Sequence, residues 1–407
     1  MRYRKLMCGV LCVSLLSGCS QASLEAQYPK TVRYDENNYE AWQKNRDELE
    51  NQYPGYNEGM DVFYQTICRN MFDTQENRTV SPLNLYMALS MCASMTDGRS
   101  RQQILSVLNT DEDKLEEKAH ALWLANYADD GIVTCALNNS LWLNEEASYK
   151  DSLLSKMKDE YYASIYKGKM GSGKFNEKLR AWVNEHTGNM LANSVKGMEL
   201  EPDQFMSILS TLYYKGAWID EFDKENNTEE IFHGINGDQK TEFMNQTLQT
   251  LYVDAKEYEA VGLGIEHSGT FWIVLPKKDM ASVWEDIEKP TGEMMEVNLS
   301  MPKFDIENTL SLKDTLKKMG MSDVFDPEKA DFAPLTDTPV YLSEVEHGVR
   351  VKTDEKGIEA AAYTKMDIDA MALIQESVDF KVDRPFIFAV QSQDGSILFC
   401  GQVTELS

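Results

Sequence analysis

EKGIEAAAYTKMDIDAMALI, residues 355–374, is the stretch on which the reading of the whole chain turns. From 358 the even positions are Ile358, Ala360, Ala362, Thr364, Met366, Ile368 and Ala370, all apolar or small. The odd positions, Glu359, Ala361, Tyr363, Lys365, Asp367 and Asp369, are mostly charged. Strict alternation over that length marks a strand with one buried face, because successive β side chains point to opposite sides. The residue types pull the other way. Glu355-Lys356-Gly357 and the run Ala360, Ala361, Ala362 are permissive or helix-compatible, poor material for a fixed strand. Two readings stay open: an ordinary core strand or amphipathic helix, or a segment patterned to become a strand later.

Working outward, FIFAVQSQDGSILFCGQV (386–403) is two apolar runs joined through Asp394-Gly395, a hairpin whose glycine permits the positive φ of a tight turn. Strand-like runs upstream are NSLWLN (139–144), ILSTLYY (208–214), TFWIVLP (270–276) and VYLSEVEHGVRVKT (340–353). Helical periodicity predicts helices over 61–72, 84–95, 113–127, 150–166 and 176–191. Helices cluster early and strands late, which predicts an α+β fold rather than an alternating doubly wound sheet. No internal repeat or linker breaks the chain after about Met60, so 59–407 reads as one domain. The chain has 407 residues, 42% of them hydrophobic, enough for a substantial core. Its 40 basic and 67 acidic side chains give a net charge of −27. Such a surface repels phosphate backbones and anionic headgroups, which excludes nucleic-acid binding and polybasic membrane docking.

The N-terminus, MRYRKLMCGVLCVSLLSGC, has a basic start at Arg2, Arg4 and Lys5 and an apolar run from Leu6 to Leu16. Leu16-Ser17-Gly18-Cys19 is similar to a bacterial lipobox, which predicts removal of 1–18 and lipid on Cys19; the plainer alternative is a secretory signal with a coincidental cysteine. Removal of 1–18 takes the charge from −27 to −30. The expected location is therefore extracytoplasmic, in the cell envelope, with Cys19 as the sole link to a membrane. Residues 19–58, rich in Glu, Asn, Gln and Tyr, are expected to be a tether. Cys68, Cys92, Cys135 and Cys400 lie far apart within apolar runs and are expected as buried free thiols.

Nothing in the chain has the spacing of an enzyme site. His120, His186, His233, His267 and His347 make no paired metal-ligand pattern, and no GxSxG elbow occurs. Gly168 to Lys174 has Walker-A spacing, but Phe175 stands where Ser or Thr must hold magnesium, so a plain loop is expected. No catalytic residue, metal or cofactor is assigned.

The flanks of the opening stretch carry a resemblance. HGVRVKTDEKGIEAAA (347–362) resembles the strand and hinge that lead into the reactive-centre loop of the serpins, and VDRPFIFAVQSQDGSILFCGQV (382–403) resembles their C-terminal strands. VSPLNLYMALSMCASMTDGRSRQQIL (80–105) is similar to their shutter segment and TLYYKGAWIDEF (211–222) to their breach segment; MPKFDI (301–306) and LKKMGMSDVFDPEKADF (316–332) match as well, in family order. The resemblance implies a serpin-like single domain, helices around three β-sheets, with an exposed loop at about 355–380 able to insert as a strand of the central sheet. It implies a monomeric suicide inhibitor that forms a covalent complex with a serine protease; the alternative is a non-inhibitory member acting as a surface binding lipoprotein. Glu355, Gly357, Ile358, Ala360, Ala361 and Ala362 then form the hinge. Ser81, Asn84, His347 and Trp218 fall at shutter and breach positions, with Asn84 and Ser210 in place of a usual serine and asparagine. Family spacing puts the scissile bond at Met371–Ala372, within a range from Ala370 to Gln375. Ile358 stands where inhibitory members carry a small hydroxyl residue, and Tyr363 departs from the small-residue run. Neither Arg nor Lys stands between Lys365 and Lys381, which points to elastase-, chymotrypsin- or subtilisin-like proteases rather than trypsin-like ones.

Overall fold

The computed structural model describes residues 24–72, 75–286, 292–358 and 377–406. Their helices are α1 (Tyr39–Glu50), α2 (Met60–Met71), α3 (Pro82–Met95), α4 (Gly98–Leu108), α5 (Glu112–Asn126), α6 (Asp151–Glu160), α7 (Gly173–His186), α8 (Met280–Asp286) and α9 (Lys313–Lys318). The strands are β1 (Arg78–Val80), β2 (Ala128–Asp129), β3 (Thr134–Asn144), β4 (Ala163–Gly168), β5 (Met206–Ala217), β6 (Thr228–Gly234), β7 (Gly237–Asp254) and β8 (Tyr258–Ile265). They continue with β9 (Gly269–Pro276), β10 (Glu293–Pro302), β11 (Asp305–Ser311), β12 (Glu346–Asp354), β13 (Gly357–Ile358), β14 (Ser377–Lys381), β15 (Phe386–Ser392) and β16 (Ile397–Val403).

One sheet runs β11-β12-β13-β5-β3-β2, with β4 on β3. The other runs β1-β16-β15-β9-β8-β7-β10-β14, with β6 on β7. Two of the three expected sheets thus form one continuous surface, because the 18 residues of β7 pair with β6 and β10 along most of their length and with β8 at their end. The expected C-terminal hairpin is β15 and β16, antiparallel, with Gly395 at φ +86° in the turn. Helix α3 touches β5 of one sheet and β16 of the other, and almost all of its residues are buried. Ser81 caps it, accepting from the Asn84 N–H, and Pro82 takes the first helical position, where no donor is needed. The main core includes Phe63, Leu83, Trp123, Phe271, Phe386 and Phe388; a second one, Trp142, Tyr166, Phe175 and Trp182, fills the space between β3–β4 and α7.

Four expectations change: the helix expected over 176–191 ends at His186, the strand expected over 340–353 begins at Glu346, and two larger changes follow. The helix expected over 150–166 ends at Glu160, and Ala163–Gly168 is a strand parallel to β3. Tyr162, at φ +49°, turns the chain there, and Ala163, Ser164, Ile165 and Tyr166 are all buried, so both faces need cover that a surface helix cannot offer. Residues 24–58, expected as a tether, are packed on the body. Leu24 pairs with Ile165, Tyr28 stacks on Trp123 at 5.7 Å, and α1 buries Trp42. The Trp42 indole N–H and the Arg46 guanidinium both donate to the Asp130 carboxylate, at 2.9 and 3.2 Å. Composition hid this, because tyrosines that count as polar bury large ring surfaces.

Candidate functional site

The site is the place where the central sheet is parted. β12 and β5 run parallel to each other and, among the described residues, pair only through β13, which is antiparallel to both. The register sets Ile358 between Thr353 and Gly216, and Gly357 between Asp354 and Ala217. Glycine is required at 357. It sits at φ +151°, and a Cβ there would lie 2.1 Å from the Gly216 carbonyl oxygen. Ile358, the first even position of the alternating stretch, is 3% exposed. Below this two-residue wedge the β5 flank loses its cover. Ser207, Ile208, Leu209, Ser210, Leu212 and Tyr213 are all only half-buried, unlike most residues of β9 and β16 in the other sheet. A cavity of about 130 Å³ lies there, with Met206 to Thr211 on one side and Glu346 and Gly348 on the other. Burial, reinforced by Glu344, raises the pKa of the Glu346 carboxyl.

At the upper end, Trp218 holds the wedge by its backbone and its indole. Its main-chain N–H donates to the Lys356 carbonyl at 3.0 Å and its Nε1–H to the Asp354 carbonyl at 2.9 Å. The Phe222 N–H donates to the Glu355 carbonyl at 2.9 Å. The Glu355 carboxylate accepts from Lys303 Nζ and Asn227 Nδ2, each at 2.7 Å. Burial alone would raise this carboxyl, but the two donors and the lysine charge outweigh it, and its pKa is lowered.

Midway along the sheet, α3 is hydrogen-bonded to both β5 and β12. His347 Nε2 accepts from the Ser81 N–H at 2.9 Å, while Ser81 Oγ donates to the Leu398 carbonyl at 2.6 Å. Asn84 Nδ2 donates to the Ser210 carbonyl at 2.8 Å. Ser210 Oγ is within reach of both the Asn84 and Asn139 side-chain oxygens. The exchanged serine and asparagine therefore still meet, with donor and acceptor roles redistributed between helix and strand. His347 is completely desolvated, which pushes its pKa down to about 4 and keeps it neutral, as an accepting Nε2 requires.

The structure thus brings Glu355, Gly357, Ile358 and Trp218 together at the upper end, and Ser81, Asn84 and His347 together beneath the parted strands. Ala360, Ala361, Ala362, the bond Met371–Ala372 with its range from Ala370 to Gln375, and Cys19 lie outside the described residues. Asn139 and Asn227 join these clusters without any mark in the sequence, since each meets its partners from a distant strand or loop, whereas Lys303 lies within the matching motif MPKFDI but had no role assigned. The Gly-rich segment 168–174 has a packing role: Gly171 lies against Pro202, and Ser172 caps α7.

Residues 58–406 match the family model described as serpin (serine protease inhibitor). An uncharacterized serpin-like protein of Methanosarcina acetivorans is 26% identical over 352 residues, covering 81% of each chain. The native-state crystal structure of the thermophilic serpin tengpin superposes with a TM-score of 0.77 at 24% identity, over 95% of this chain and all of that one. Thyroxine-binding globulin in complex with thyroxine gives a TM-score of 0.75 at 19% identity, over 87% of this chain and all of the other. With the family model spanning most of the chain and the same fold in these structures, this protein belongs to the serpin family.

Proposed function

We propose that the protein is a suicide-substrate inhibitor of serine endopeptidases with elastase-, chymotrypsin- or subtilisin-like preference, not itself an enzyme. The observation that carries this reading is the two-residue wedge β13, seated antiparallel between strands that have no direct pairing with each other. A protease serine attacks the carbonyl carbon of Met371, within the range Ala370 to Gln375. The amine of Ala372 leaves, and Met371 remains as an ester on the enzyme. The freed hinge then continues the register already begun at Gly357 and Ile358. Carried forward one residue at a time, that register sets Ala360 between Tyr214 and Val351, Ala362 between Leu212 and Val349, and Thr364 between Ser210 and His347. All of those even-numbered loop residues would face inward alongside buried Val351, Val349 and His347. Odd residues, Tyr363 and Lys365 among them, would face out. Roughly ten new backbone hydrogen bonds at about 0.5–1.5 kcal/mol each make the inserted state lower in free energy by about 10 kcal/mol. That suffices to hold the acyl-enzyme if insertion outruns deacylation.

The cellular setting belongs to the same proposal: export, acylation at Cys19, and presentation of a monomer outside the cytoplasmic membrane. Incubation with elastase tests the core of it. An SDS-stable adduct and a small C-terminal fragment are expected, and cleavage without an adduct or a rise in melting temperature overturns the inhibitory reading. Ile358 favours the second reading, a non-inhibitory binding lipoprotein, because a bulky residue with no hydroxyl already occupies the seat. Gain of trapping in Ile358→Thr, from a native protein that traps poorly, would support it.

A further inference from the structure

Cys68 on α2 and Cys400 on β16 are both buried free thiols, and their sulfurs are 3.5 Å apart, 332 residues apart in sequence. Both line a cavity of about 100 Å³ between α2 and the nine-stranded sheet, whose walls include exposed Asp61 and half-buried Gln65 as well as apolar Trp272 and Ile387. The cavity thus joins the buried pair to side chains that face solvent. We propose that Cys68 and Cys400 are a redox-modifiable pair that closes to a disulfide and keeps the C-terminal fragment covalently attached after the loop is cut.

The co-reactant is a low-molecular-weight disulfide such as oxidised glutathione. The thiolate of one cysteine attacks it, forming a mixed disulfide and releasing one reduced small thiol. The second thiolate then attacks the protein sulfur of that mixed disulfide, closing the bond and releasing a second small thiol. Bond formation needs the sulfurs to move from 3.5 Å to about 2.05 Å. Burial and the neighbouring sulfur raise the pKa of Cys400, so closure is slow.

The consequence follows from chain order. Any cut between 359 and 376 leaves Cys68 on the body and Cys400 on the fragment. Neither cysteine lies on β5, β12 or β13, so the cross-link leaves the parted sheet free to accept a strand. The cleavage half of this inference rests on the function proposed above; the disulfide half stands without it.

The test uses the full chain, equilibrated with oxidised glutathione and then treated with elastase. The fragment is expected to remain with the body on a denaturing gel without reductant and to separate once reductant is added. Peptide mapping should recover one cross-linked peptide holding Cys68 and Cys400, absent from Cys68→Ser and Cys400→Ser proteins. A fragment that separates without reductant, or a map showing both thiols unmodified in the unsubstituted protein, overturns the proposal. If no protease cuts the loop, the inhibitory reading fails instead, and the peptide map of the uncut chain still decides the disulfide.

Discussion

The two sheets of this molecule differ in how completely they are paired. In the nine-stranded sheet β15 is matched to β9 over six residue pairs, from Ile387↔Val274 to Ser392↔Gly269, and to β16 on its other side. In the seven-stranded sheet β12 and β5 are bridged by two residues and stand apart below them. β15 is thus paired along both sides, whereas among the described residues β5 and β12 share no ladder below the wedge, beside a cavity. On the function proposed above, a native state of this kind has somewhere lower to go, and its own loop would supply the residues that fill the row. The lesson is that a fold can be complete in its core and incomplete in one ladder, and the incomplete ladder is where function is sought.

The sharpest way to break the contrast is to spoil the filling strand. Thr364→Arg would place an unpaired charge between Ser210 and His347. A penalty of roughly 3 kcal/mol or more slows insertion by about a hundredfold. Elastase should then cut the variant without leaving an adduct on an SDS gel, while its uncut melting temperature stays unchanged. Retained trapping would show that the register does not continue past Ile358.

Damage to the complete sheet should look different. Phe388 is fully buried, stacked on Phe271 at 5.9 Å, and Phe388→Ala should destabilise the protein by about 3–5 kcal/mol. Because that packing is shared by intact and cut forms, denaturant melts of both should shift together. A shift in the intact form alone would mean the two sheets are not independent.

The latch between α3 and the parted strands answers to pH. His347 is held neutral down to about pH 4 in the fold, while an unfolded histidine takes up its proton near 6.5. The unfolded chain therefore binds more protons between those values. Stability is full above pH 6.5 and falls by at most about 3–4 kcal/mol as pH drops to 4, at about 1.4 kcal/mol per unit. Urea melts across that range should show the slope, and His347→Gln should flatten it.

The smallest effect is expected at the N-terminal helix. Trp42→Phe removes the indole donor to Asp130 but leaves the Arg46 contact, so a loss of about 1 kcal/mol is expected in thermal melts. A loss below the detection limit would return α1 to the role of a loosely held tether.

Much of this was legible beforehand. The Asp394-Gly395 pair announced the hairpin, because that signal is local, whereas the alternation from Ile358 meets the described residues only at Ile358 itself, which is buried. The N-terminal segment misled, since its tyrosines and Trp42 find their apolar surroundings only on a body folded from distant residues. The strand at Ala163–Gly168 misled for the same reason: its neighbour β3 lies some twenty residues upstream, and a window reading helical period has no access to that pairing. Of the site, Ser81, Asn84, His347 and Trp218 were marked by motif, Lys303 stood in a matching motif without a role, and Asn139 and Asn227 were not marked.

The chain by itself determined the periodicities, the turn glycines, the acidic surface and the parity of the stretch beginning at Ile358, all properties of residues close together along the backbone. Tertiary structure alone decided that β12 and β5 stand apart, that Lys303 and Asn227 hold Glu355, and that Cys68 faces Cys400. Those facts depend on which distant segments share a neighbourhood, and that is settled by the packing of the whole core rather than by any local preference.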